Sequence, residues 1–267
     1  MKVLVAGLLD LSSVDYPKRP AAVIFTPRCN YDCPFCQNWQ ILKVKPEHRK
    51  DMNEIYRFID RASNTIEAVK VTGGEPTLYP EFLEQVSTYS RKKGLLFGFD
   101  TNGFLHEVIG RLSSYADLIS LDLKTDPTNP ESMEKLIGLP GKGREAGHNT
   151  IKTLESLMKQ KDVYLDLRTT VVPTLNDGER EFERIGEILK SLGYEGRASE
   201  GSASYTLQEF VPEHARDENV RKIRSPSPKD LSKLADASNL EHIHVRHRDI
   251  GFMVHKGELL RLIPNLA

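Results

Sequence analysis

The sequence predicts an α/β fold whose strands pair in parallel and whose helices connect them. Three observations predict it. Short β-rich runs alternate with longer runs of helical character along the 267 residues. Pro and Gly stand at joins where a helix must open or close. No Ser- or Pro-rich stretch is long enough to serve as a linker, so a single domain over 1–267 is expected. Strand–helix–strand repetition implies right-handed crossovers. Roughly six or seven such units would curl into a barrel or partial barrel, with the working loops at the carboxyl ends of the strands. An open doubly wound sheet is the other arrangement the pattern allows.

AAVIFT (21–26) is a strand candidate, an apolar run bounded by Pro on both sides. DMNEIYRFIDRAS (51–63) follows as a helix, because Ile55, Phe58, Ile59 and Ala62 share one face at the 3.6-residue period. EAVKVT (67–72) is the next strand, and PEFLEQVSTYSRKKG (80–94) a helix opened by Pro80 and closed by Gly94. LLFGFD (95–100), LISLDLK (118–124) and VYLDLRTTVV (163–172) continue the strand series. The Gly-rich patch GLPGKGREAG (138–147) reads as a surface loop. GEREFERIGEILKSLG (178–193) is helical and YTLQEFV (205–211) a strand. RSPSP (224–228) is a loop whose Ser227-Pro228 caps and opens the helix PKDLSKLADAS (228–238). HIHVRH (242–247) is the last strand; His242 and His244 share its face, and a structural or partner-facing strand is expected there rather than a metal site.

A formal net charge of −1 gives no global electrostatic argument for binding nucleic acid or an anionic membrane, and neither is expected as a partner. The basic clusters RHR (246–248) and RKK (91–93) read as solvated faces. No apolar stretch approaches the roughly 20 residues of a membrane span. The opening MKVLVAGLLDLSSVDYP has too short an apolar run for a signal peptide, so a cytoplasmic protein is expected. Three cysteines are an odd number, with two of them three residues apart, which fits a disulfide framework poorly. Reduced thiolates serving a metal or redox centre fit better.

All three cysteines lie in CNYDCPFC (29–36), directly behind the first of these strands: Cys29, Cys33 and Cys36. Thiolates suit zinc, copper(I) or iron–sulfur clusters. Structural zinc needs four ligands and the chain has no second thiol pair, so zinc would require a histidine as its fourth. A four-iron cluster on three cysteines would instead leave one iron with an open position for a small molecule. VTGGEP (71–76) ends a strand with two glycines, which permit close backbone approach, followed by Glu75. DTNG (100–103) ends the next strand, and Asp122 and Lys124 lie two apart in LDLK, on one face of the next. Arg168 lies in the strand after that. Charges inside a barrel of Leu and Ile are costly unless they serve a ligand or form a structural ion-pair network.

The cysteine triplet, with aromatic Phe35 before its third cysteine and GGEP at the end of the next of these strands, resembles the signature of the radical S-adenosylmethionine (SAM) superfamily. The resemblance implies a partial (β/α)6 barrel with a core from about 18 to 214 and a strand–helix extension over 215–267. It implies a [4Fe-4S] cluster on Cys29, Cys33 and Cys36, with SAM chelating the open iron and cleaved by one electron to a 5′-deoxyadenosyl radical. Gly73, Gly74 and Glu75 would then contact the methionine amino group, and Phe35 would lie near the adenine. Within the superfamily the chain is most similar to the glycyl radical enzyme activating proteins, such as those for pyruvate formate-lyase and anaerobic ribonucleotide reductase. The matching stretches are SSVDYP (12–17), GGEPTLYPEF, DTNGF (100–104), LDLK followed by LIG (136–138), LRTTVVP (167–173) and EFVPEH (209–214). They imply Asp100 and Asn102 beside SAM, Lys124 and Arg168 near its carboxylate and ribose, and His214 near the adenine. Asp100, Thr101 and Asp122 match positions that hold a monovalent cation. The implied partners are a glycyl radical enzyme and an outside electron donor such as flavodoxin or ferredoxin. One departure stands out: Gln37 replaces the His usual after the third cysteine, giving CQNW, a form that also occurs in radical SAM groups of unassigned substrate. A small molecule or modified nucleoside is therefore the alternative substrate.

Overall fold

In the computed structural model residues 1–258 are described, and the end of the expected C-terminal extension, 259–267, lies outside them. The chain opens with β1 (Lys2–Leu4), β2 (Gly7–Ser12) and β3 (Ala21–Thr26), then α1 (Trp39–Leu42), β4 (Arg49–Asp51) and α2 (Met52–Ala62). It continues through β5 (Ala68–Gly73), α3 (Pro80–Lys92), β6 (Leu96–Thr101), α4 (His106–Leu112), β7 (Leu118–Asp122), α5 (Pro130–Ile137) and α6 (Gly143–Leu157). After β8 (Tyr164–Val171) come α7 (Glu179–Ser191), α8 (Tyr194–Ser199), β9 (Ala203–Glu209), α9 (Pro228–Ala237), β10 (His244–His247) and β11 (Gly251–His255).

The main sheet among the described residues is nine-stranded, in the order β11-β10-β9-β8-β7-β6-β5-β3-β2. From β3 to β10 its neighbours pair in parallel, and the edge strands β2 and β11 are antiparallel additions. This is the strand–helix repetition of a partial (β/α)6 barrel that does not close. Period-2 alternation sorts the two faces of each strand. Val69, Val71, Phe97, Phe99, Ile119, Leu121, Leu165 and Leu207 belong to the large apolar core that includes the buried faces of the helices. Each such side chain withdrawn from water contributes roughly 1.5–3 kcal/mol. The intervening residues on the concave face are Lys70, Asp100, Ser120, Asp122, Asp166 and Arg168. The charges expected among Leu and Ile therefore face one another across the strands.

At the amino ends of the strands Tyr16 plugs the concave side, packed with Ala21, Ala68 and Leu118. The SSVDYP stretch is thus the floor of the barrel rather than part of its mouth. Two caps follow the sequence closely. Asp51 accepts from the Asn53 amide (3.0 Å) to start α2, and Ser227 accepts from the Asp230 amide (3.2 Å) to start α9.

Three expectations need correction. Residues 143–147 of the Gly-rich patch are helical, not loop. A Cβ on Gly143 would lie 1.9 Å from the Pro130 carbonyl oxygen, and one on Gly147 2.0 Å from that of Pro127, so these glycines let α6 pack tightly against α5 and the loop before it. The last expected strand begins at His244, leaving His242 outside it. RHR is not simply a solvated face, because His247 is buried. The edge strand β2 had no counterpart in the sequence reading, since its burial pattern is exposed on both faces over most of its length.

Candidate active site

A cleft of about 880 Å3 opens at the carboxyl ends of the parallel strands. It is lined by all of the residues singled out above: Cys29, Cys33, Phe35, Cys36, Gly73, Gly74, Glu75, Asp100, Thr101, Asn102, Asp122, Lys124, Arg168 and His214. Thr72, Glu209, Arg246 and His247 also line it, each within a stretch the sequence singled out but none given a site role there, and so do Ser120 and Gln208, which no sequence motif marked.

The cysteine loop leaves β3 through Arg28, whose φ of 62° lies in the left-handed region. Three neighbours fix it. On one side, the Gly74 amide donates to the Thr26 carbonyl and the Glu75 amide to the Arg28 carbonyl, both at 2.8 Å. A Cβ on Gly74 would stand 1.7 Å from the Arg28 oxygen, so the close backbone approach expected of the two glycines is used by the root of the cysteine loop. Asn38 adds a bond from its Nδ2 to the Gly73 carbonyl (3.0 Å). On a second side, the Asp32 amide donates to the Ile137 carbonyl (2.8 Å), and Gly138 ends α5 at φ 69° where a Cβ would lie 2.2 Å from the Asp32 oxygen. That contact gives LIG its physical reason. On the third side lies the segment after β9. The Asp217 amide donates to the Pro34 carbonyl (2.9 Å) and Arg216 pairs with Asp32, with one guanidinium bond at 2.7 Å. The Arg221 guanidinium stands 5.7 Å from the centre of the Trp39 ring.

Within the loop the thiols are free and largely buried among Phe35, Leu136, Ile137, Val172 and Phe210. Burial pushes the Cys29 thiol up to about 12 and the Cys33 thiol to about 11, and raises that of Cys36. Three thiolates held this way need a compensating cation, which is what an iron–sulfur cluster supplies. Lys124 contributes part of that compensation. Its ammonium sits 5.4 Å from the Phe35 ring centre and 2.6 Å from Asp122, and the charges on Asp122 and Cys33 outweigh burial and raise its pKa. Among the described residues no three His, Cys, Asp or Glu side chains form a group that could hold a single metal ion.

The opposite wall is a closed charge network. Lys70, fully buried, pairs with Asp100 (2.9 Å) and donates to Ser120 (2.6 Å). Ser120 donates to Asp166 (2.9 Å), which also accepts from Arg168 Nε (2.7 Å). Arg168 reaches back to Asp100 at 3.8 Å. Burial alone would raise the Asp100 carboxyl, but Lys70 and Arg168 hold it below the usual range. Glu75 is equally committed: its carboxylate accepts from Thr77 (3.1 and 2.5 Å), from Thr101 Oγ1 (2.9 Å) and from the Asn102 amide (2.8 Å). Asp100, Thr101 and Asp122 all line the cleft, each already engaged by another side chain. His214 is at the exposed rim, and Gln37 is exposed beside the third cysteine.

The sequence pattern of the Radical SAM superfamily matches residues 23–185. The chain belongs to that superfamily: it is a radical SAM enzyme, and its cofactors are a [4Fe-4S] cluster and SAM. Among its relatives is the "Putative glycyl-radical enzyme activating enzyme" of Methanocaldococcus jannaschii, 33% identical over 238 residues, 88% of this chain and 91% of that protein. The pyruvate formate-lyase 1-activating enzyme of Escherichia coli K12 is 31% identical over 180 residues, 64% of this chain and 69% of that one. A GTP 3′,8-cyclase of Aliarcobacter butzleri is 25% identical over 232 residues, covering 85% and 67%. Among solved structures, Streptococcus suis SuiB bound to its precursor peptide SuiA superposes with a TM-score of 0.62 at 14% identity. That match covers 90% of this chain but only 49% of SuiB, so it speaks to the fold alone. No helix among the described residues is long and apolar enough to cross a membrane.

Proposed function

We propose that this enzyme activates a glycyl radical enzyme, abstracting a hydrogen atom from a backbone glycine of a partner protein. The observation that carries this reading is the 33% identity, across nearly the full length of both chains, to a protein named for that activity. The cysteine loop would hold the cluster through Cys29, Cys33 and Cys36. When bound, the cluster and SAM together supply a reductively generated carbon radical able to abstract hydrogen. The chain's own residues bind, orient and shield. Gly73, Gly74, Asn102 and Phe35 would border SAM, as would Lys124, Arg168 and His214, all of which line the cleft. Glu75 would act through the loop it organises rather than by direct contact, since four donors already occupy its carboxylate. A monovalent cation at Asp100, Thr101 and Asp122 would have to share these carboxylates with Lys70, Arg168 and Lys124. The electron would come from flavodoxin or ferredoxin, the protein would work in the cytoplasm, and 1–267 would act as one radical SAM domain.

The test is anaerobic incubation of cluster-loaded protein with SAM, a reductant and a candidate glycyl radical enzyme. A glycyl radical doublet in the partner's EPR spectrum is expected. Formation of 5′-deoxyadenosine without a radical on any candidate partner would sink the activase reading. The match to GTP 3′,8-cyclase favours a second reading, a nucleotide or other small-molecule substrate, and in that case deoxyadenosine formation would rise with such a substrate present.

A further inference from the structure

Tyr31 lies between the first two cysteines and is 3% exposed. Its ring packs edge-on against Phe104 at 5.8 Å and belongs to the same apolar cluster as Met133, Leu136 and Val172. A phenylalanine would satisfy that packing equally well. What tyrosine adds is a hydroxyl, and this hydroxyl is buried with no hydrogen-bond partner among the described residues. A buried polar group without a partner is costly, and such groups are rare unless something else occupies the site. The neighbouring Asn30 repeats the pattern. Its Oδ1 accepts from Asn102 Nδ2 (2.8 Å), while its own Nδ2 is buried and unpaired. Two adjacent donors of the cysteine loop are thus left without acceptors, and Tyr31 lines the cleft together with the three thiols. The backbone already points in the same direction: the Tyr31 amide donates to Cys29 Sγ at 3.4 Å.

We propose that the Tyr31 hydroxyl donates a hydrogen bond to a sulfur of the iron–sulfur cluster and thereby makes that cluster easier to reduce. The inference rests on the reading that Cys29, Cys33 and Cys36 are the cluster ligands. Hydrogen bonds to cluster sulfurs withdraw electron density and are one of the protein's levers on the reduction potential. Asn30 Nδ2 is a second donor of the same kind.

The experiment compares wild-type and Tyr31→Phe holoenzymes in an anaerobic, EPR-monitored redox titration without SAM. Both should carry about four iron and four sulfide per chain. Tyr31→Phe should titrate at a more negative midpoint and show a smaller reduced fraction at any fixed poise. Tyr16→Phe, which alters a buried tyrosine at the far end of the barrel, should titrate as wild type. Thermal melting of the metal-free proteins confirms folding, with Tyr31→Phe melting at or above the wild-type temperature because an unpaired hydroxyl has been removed. A midpoint unchanged from wild type in fully loaded Tyr31→Phe overturns the inference. A wild-type chain that takes up neither iron nor sulfide overturns the ligand reading, and this inference with it.

Discussion

The two walls of the cleft are built on opposite principles. On the strand side, Lys70, Asp100, Ser120, Asp166 and Arg168 satisfy one another, two cations against two anions. On the loop side, three thiols and two donors are buried among apolar groups, and the thiols' pKa values are raised by that burial. The strand wall balances cation against anion as folded, with Asp100 Oδ1 held by charge pairing and without a hydrogen bond. The loop wall becomes complete only when something cationic that also accepts hydrogen bonds sits against it. The difference locates the chemistry on the loop side and rigidity on the strand side.

The largest effect should come from breaking the loop wall at its centre. Cys33→Ala removes the most buried of the three thiols and should abolish iron retention, measured by iron and sulfide analysis after reconstitution. Retention at wild-type level would mean that the loop does not carry the metal. Next comes the strand wall. Lys70→Met leaves buried carboxylate charge with one cation fewer, and should lower unfolding free energy by about 3 kcal/mol in urea titration. A change below about 1 kcal/mol would show that the buried carboxylates do not depend on Lys70. Gly74→Ala tests the seam between the walls. Its Cβ would stand 1.7 Å from the Arg28 oxygen, so the loop root must shift. A loss of roughly 2 kcal/mol is expected, together with weaker iron retention. Full retention would separate the seam from the metal site. The smallest effect belongs to Trp39→Ala, which removes the contact with Arg221 at the surface and should cost roughly 0.5–1 kcal/mol of thermal stability.

The strands were legible because parallel strands covered on both sides read as short apolar runs, and β3 falls on the six residues of AAVIFT. The cysteine loop was legible because its three cysteines fall within the eight residues 29–36. The strand wall was not. EAVKVT shows that Lys70 belongs to a strand, but its partners Asp100 and Ser120 are 30 and 50 residues away and only the sheet register brings them together. Gly143 and Gly147 misled for a related reason: glycine marks a loop locally, whereas here each admits a carbonyl from an element that precedes it in the chain. Asn38 carried a usable signal, since it stands two residues after the last cysteine of the triplet, yet its role in holding Gly73 depends on a contact across 35 residues.

If the loop wall is the seat of a cluster with an open iron, reductive cleavage of SAM must depend on it. The direct measurement is 5′-deoxyadenosine produced from SAM and dithionite by anaerobically reconstituted protein, compared with Cys33→Ala prepared in the same way. Deoxyadenosine is expected from the wild type in proportion to its iron content and none from the variant. Deoxyadenosine formed equally by both proteins, or by wild-type protein stripped of iron, would contradict it.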